Sequence, residues 1–256
     1  MPTAVALEVL EGVHSPELGN QRDVLVYVPS SYHRSDRSYP VLYMQDGQNL
    51  FDPSTSYAGD WGVGRAMNSA ARRGLEAIVV GVPNMGADRL DEYSPYVDAE
   101  AGGGGKGGAY AAFLARTLKP IVDQRFRTQS ARETTVVAGS SMGGLISLVT
   151  LLRHPDTFGA AGLLSPSLWF AGGAIFSEVE RSPLVPARIY LDIGVQEGPK
   201  HVGNARRMRD LLLSKGYRLG PDLRWLESRC GRHDERSWGR RFARALPFLL
   251  GMSPDP

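Results

Sequence analysis

The strongest constraint on this chain is an alternation. Short apolar runs at residues 41–45, 77–82, 134–138, 160–164, 188–193 and 222–226 are separated by longer stretches with helical spacing. Several runs, such as "VLYMQ" and "AIVVGV", are apolar almost throughout, the pattern of strands covered on both faces. Candidate helices lie at 61–73, 109–125, 142–153, 203–215 and 237–250. Strand–helix alternation demands right-handed crossovers and a parallel sheet. Two further runs, 4–10 and 24–28, have no helix between them and predict an antiparallel start. The expected architecture is α/β: a mostly parallel central sheet of about eight strands with helices on both faces. No composition shift or repeat divides the 256 residues, so a single domain over 1–256 is expected.

Composition excludes several functions. There are 29 basic and 27 acidic residues, the formal net charge is +2, and the arginines are scattered along the sequence, so no nucleic-acid partner is expected. No apolar run has membrane-spanning length. The opening "MPTAVALEVLEG" has no basic region followed by a long apolar core, which predicts a cytoplasmic protein, or a secreted one if a leader has been removed. The one cysteine, Cys230, cannot form an internal disulfide. It stands three residues before His233, but without further cysteines or clustered histidines no metal is expected. In "EAGGGGKGGAY", residues 100–110, Lys106 is followed by glycine rather than Ser or Thr, so a flexible loop is expected and not a phosphate cradle.

The chemistry concentrates in "VVAGSSMGGLISLV", residues 136–149, where a strand gives way to a helix. Gly139-Ser140-Ser141-Met142-Gly143 fits Gly-x-Ser-x-Gly. Small residues around the serine allow a sharp strand-to-helix turn, which lifts the hydroxyl clear of the sheet and aims the helix N-terminus at it. A serine hydroxyl needs a base, and this turn predicts an acid and then a histidine downstream. Of five histidines, His233 fits best, in "RCGRHDERSWGRRF" between the last strand and the last helix. The acid should follow the strand "RIYLDIG": Glu197, in the loop just past it, is favoured over Asp192 inside it. An oxyanion needs two backbone N–H donors, expected from Met142 and from Gln48 in "VLYMQDGQNLFD". Trp169, Trp61, Phe51 and Tyr93 are candidate substrate-pocket walls. Arg89 is expected to pair with Asp91 or Glu92.

The pieces "YMQDGQNLFD", "DEYSPY", "GSSMGG", "SPSLWF", "YLDIG" and "GRHDERSW", in this order, together resemble the Putative esterase family of α/β-hydrolases. That group includes enterochelin, feruloyl and acetyl-xylan esterases and related mycolyltransferases. The resemblance implies an α/β-hydrolase fold with Ser141 as nucleophile, His233 as base and an acid near Glu197. Relatives often carry His before the Asp-Gly of the early loop; Gln45 stands there in this chain. It further implies no cofactor and a small-molecule ester substrate, of small-acyl, aromatic-acyl or siderophore type. An acyltransferase and a non-catalytic ligand-binding homologue remain the alternatives. Oligomeric state has no signal in the sequence.

Overall fold

The computed structural model describes residues 7–251. Eight strands form one sheet in the order β1-β2-β4-β3-β5-β6-β7-β8. β1 (Leu7–Ser15) and β2 (Asn20–Tyr27) make an antiparallel pair, and β2 runs antiparallel to β4 (Ile78–Val82). β3 (Val41–Gln45), β4, β5 (Thr135–Ser140), β6 (Ala160–Leu164), β7 (Arg188–Gly194) and β8 (Leu223–Ser228) are parallel. The start expected at residue 4 lies outside the described residues. The chain places β4 on one side of β3 and β5 on the other. This reversal opens a crevice at the carboxyl ends of β3 and β5, where open α/β sheets bind ligands.

The helices are α1 (Val63–Ala71), α2 (Arg89–Glu92), α3 (Gly107–Ala112), α4 (Lys119–Arg125), α5 (Met142–Arg153), α6 (Ala174–Arg181), α7 (Pro199–Ser214) and α8 (Glu235–Leu249). Alternate strand residues divide between two cores. Leu42, Met44, Val79 and Val136 pack with Met67 of α1 and Phe242 and Leu246 of α8. Val41, Tyr43, Val80 and Val137 pack with Phe113, Ile146, Leu148 and Val179 on the other side. A period of two in each strand thus serves two covered faces, and both registers are apolar.

The helix expected over 109–125 is broken by a π turn at Phe113–Leu118. Pro120, two residues beyond it, cannot donate to the carbonyl of residue 116, so the helix widens there. The glycine-rich stretch is not the free loop that its composition suggests. The N–H groups of Gly105 and Gly107 donate to the Ser94 carbonyl, at 2.8 and 3.0 Å. A Cβ on Gly107 would sit 2.5 Å from the Pro95 nitrogen, so glycine here permits close backbone packing.

Candidate active site

Ser141 stands between β5 and α5 at φ 55° and ψ −123°, a conformation costly for any residue with a Cβ. Its neighbours must be small. A Cβ on Gly139 would lie 2.7 Å from the Gly143 carbonyl carbon, and one on Gly143 would lie 2.9 Å from Gln45 Cβ. The turn is tied at both ends: Ser141 N–H donates to the Leu164 carbonyl at 3.0 Å, and the Ser141 carbonyl accepts from Ser167 N–H at 2.9 Å. Met142, the first residue of α5, has no acceptor for its N–H inside the helix, which leaves that donor facing the turn.

Two residues far along the chain meet this hydroxyl. His233 Nε2 lies 3.0 Å from Ser141 Oγ, and His233 Nδ1 lies 2.7 Å from Glu197 Oε2. The spacing therefore brings Ser141, His233 and Glu197 into one hydrogen-bonded line. Asp234 caps α8, accepting from Ser237 N–H at 2.7 Å, and so fixes the turn that carries His233. The Trp238 ring meets the imidazole edge-on, with centroids 4.8 Å apart. Glu197 Oε1 also accepts from Gly194 N–H at 2.8 Å and Ser165 Oγ at 2.5 Å. Burial pushes the Glu197 carboxyl up, but its hydrogen bonds to His233 and Ser165 hold it below its ordinary value. Asp192 is fully buried, with hydrogen bonds from Ser165 N–H and Tyr190 Oη, both at 3.1 Å. Burial pushes it up to about 7, against the pull of Arg241.

The loop after β3 closes over the same crevice. Asp46 turns it at φ 54°, and Gly47 is needed because a Cβ there would strike the Gly81 carbonyl carbon of β4 at 2.5 Å. Asp46 N–H donates to Tyr93 Oη at 2.9 Å. Arg89 Nε and Nη2 each donate to the Asp46 carboxylate at 2.8 Å. The expected pairing of Arg89 with Asp91 or Glu92 is thus corrected: Asp91 takes Lys106 at 3.0 Å and Glu92 takes Arg22 at 2.7 Å. The left-handed turn at Asp46 swings its carboxylate toward Arg89, across the loop. Gln48 sits in the tight turn Gly47–Asn49, with its carbonyl accepting from Thr55 Oγ1 at 2.7 Å.

A cleft of about 600 Å³ contains Ser141 and His233, with Gln48, Asn84, Arg89 and Glu235 among its polar walls. Its aromatic walls are Tyr57 and Trp238, neither of them singled out from the sequence. The four expected wall residues lie elsewhere. Trp61 is buried against Trp238 and Phe242, with ring centroids 6.0 Å from each. Phe51 stacks on Tyr27, and Tyr93 is fully buried behind Asp46. Trp169 is 38% exposed and packs on Phe170, outside the cleft. Ser167 was also missed; its Oγ lies 3.1 Å from Ser141 Oγ. Among the described residues, no group of three or more His, Cys, Asp or Glu side chains is arranged to hold a metal, and no helix is long and apolar enough to cross a membrane.

A hydroxyl, an imidazole and a buried carboxylate in line form an arrangement that can move a proton off the hydroxyl. Residues 15–249 match the family described as Putative esterase. The uncharacterised protein YbbA of Bacillus subtilis is 28% identical over 250 residues, which cover 91% of this chain and 94% of YbbA. The iron(III) salmochelin esterase of Escherichia coli is 28% identical over 257 residues, covering 91% of this chain and 55% of that protein. The crystal structure of ferric enterobactin esterase from Salmonella typhimurium superposes with a TM-score of 0.77 at 21% identity, over 95% of this chain and 57% of that one. The chain therefore spans a little over half the length of these two esterases.

Proposed function

The chain belongs to the Putative esterase family and is a carboxylic-ester hydrolase, and from that premise we propose that it works through an acyl-enzyme formed on Ser141. Ser141 Oγ attacks the acyl carbon while His233 Nε2 takes its proton. His233 then delivers that proton to the leaving alcohol. Glu197 holds the Nδ1–H tautomer and stabilises the imidazolium that forms. The N–H groups of Met142 and Gln48 receive the oxyanion, reinforced by the N-terminus of α5. Water, activated by the same imidazole, releases the acid.

The observation that carries this reading is the imidazole bridging Ser141 Oγ at 3.0 Å and Glu197 Oε2 at 2.7 Å. Water is the favoured acyl acceptor over a sugar alcohol because the His233 side chain is 42% exposed and solvent reaches the base directly. The polar cleft walls suit small esters that carry hydrogen-bonding groups, siderophore-type esters among them. The test is pre-steady-state hydrolysis of p-nitrophenyl acetate. A burst of one nitrophenolate per chain is expected, and Ser141→Ala should remove the burst and lower kcat by roughly 10⁴-fold or more. Full turnover by Ser141→Ala would overturn the proposal.

A further inference from the structure

Behind Glu197 lies a buried charged pair that the hydroxyl–imidazole–carboxylate line leaves unused. Arg241, on the inner face of α8, has a side chain only 3% exposed. Its Nε lies 3.2 Å from Asp192 Oδ2 and its Nη2 lies 3.6 Å from Glu197 Oε1. Nη2 also donates to Ser165 Oγ at 2.6 Å, and Ser165 Oγ donates in turn to Glu197 Oε1 at 2.5 Å. Ser165 is held at φ 44°, a left-handed conformation unfavourable for serine, so its hydroxyl serves Glu197 while its N–H serves Asp192. One guanidinium is thus shared by two carboxylates, and all three groups are cut off from water. With both carboxylates ionised the cluster carries one net negative charge, and a protonated His233 would neutralise it.

We propose that Arg241 and Asp192 are positioning residues that fix the aim and charge of Glu197 and, through it, the proton affinity of His233. The proposal rests on the reading of Ser141, His233 and Glu197 as the reacting set. Buried carboxylates need paired charge or they take up protons, and a guanidinium fork can serve two at once. Other groups facing the cluster are Tyr190 on β7, Arg244 on α8 and, around the imidazole, Asp234, Glu235 and the His201 ring, 6.5 Å away. None of them touches both carboxylates; Arg241 does.

Charge removal at the two positions has opposite consequences. Where Asp192 is ionised, Asp192→Asn deletes a negative charge and leaves the guanidinium to Glu197 alone, so the carboxylate pulls less on the imidazolium and His233 loses its proton more readily. Arg241→Gln leaves two buried carboxylates uncompensated, so His233 holds its proton more tightly.

The experiment is the pH profile of kcat/KM for p-nitrophenyl acetate from about pH 5 to 9, for the parent, Asp192→Asn, Arg241→Gln and Arg241→Lys, with thermal unfolding of each. The acid limb should move down in Asp192→Asn and up in Arg241→Gln, each by roughly half a unit or more, and return toward the parent in Arg241→Lys. A purely structural role would lower activity without moving the limb in opposite directions, and that result overturns the proposal. If Arg241→Gln does not fold, Asp192→Asn decides alone: an unmoved limb refutes the inference. Fluorophosphonate labelling of the parent at Ser141 separates the two failures. Labelling with unmoved limbs sinks only the relay; absence of labelling sinks the catalytic reading and the relay with it.

Discussion

Glu197→Gln perturbs the site with almost no change of shape. Glu197 Oε2 lies 2.7 Å from His233 Nδ1, and its Oε1 is held by Gly194 N–H and Ser165 Oγ. In the variant the amide oxygen keeps those last two donors, so the amide NH₂ faces Nδ1. Nδ1 must then accept, the imidazole proton moves to Nε2, and Nε2 can no longer take the proton of Ser141. The charge is lost as well. A unit charge about 4 Å from the imidazolium is worth about 4 kcal/mol at an effective dielectric of 20. The His233 side chain is 42% exposed, and solvent screening reduces this to about 2 kcal/mol, roughly 30-fold in rate. With the tautomer reversed in addition, kcat should fall by roughly 10³-fold. KM should stay within about threefold, because Glu197 does not line the cleft. The assay is steady-state hydrolysis of p-nitrophenyl acetate near pH 8. A variant within tenfold of the parent, with Asp192→Asn inactive, would transfer the acid's role to Asp192 and refute the reasoning.

Gly139→Ala forces a Cβ to 2.7 Å from the Gly143 carbonyl, a backbone clash that should cost roughly 2–4 kcal/mol and lower Tm by about 5–15 °C in a thermal melt. Tyr93→Phe leaves the buried Asp46 N–H without its acceptor; urea unfolding should show a loss of roughly 1–3 kcal/mol, and kcat should fall more than KM rises because the Gln48 loop loosens. Asp192 is raised to about 7 in the folded chain, so between its unfolded value near 4 and 7 the native state keeps a proton that the unfolded state has released. Stability from this group therefore falls as pH rises through that window, and Asp192→Asn should gain urea stability relative to the parent from pH 4 to 8. A pH-independent difference would contradict the assignment of that titration.

The parts of the fold that the sequence reveals are those ruled by local pattern. β3 and α5 fall at the expected bounds because an unbroken apolar run and a glycine-flanked turn leave little freedom. Ser141, His233 and Glu197 are legible because each occupies a loop directly after a strand of one parallel sheet, and those loops share an edge. The aromatic walls were not legible. Nothing local distinguishes Trp61, which packs on Phe242, from Trp238, which borders the cleft. Arg89 was drawn to near neighbours in sequence, whereas its partner Asp46 is turned toward it by a left-handed residue that carries no sequence mark. Ser165 and Arg241 escaped for the same reason: their roles depend on a contact between β6 and α8.

Ser141 is proposed as the hydroxyl made nucleophilic by His233 and Glu197. The most direct measurement is the intact mass and peptide map of folded protein after brief treatment with a fluorophosphonate, in the parent and in His233→Ala. One adduct is expected in the parent, located on Ser141, with labelling slowed by roughly a hundredfold or more in His233→Ala. Modification at another residue, or a Ser141 that reacts equally fast without the imidazole, would contradict it.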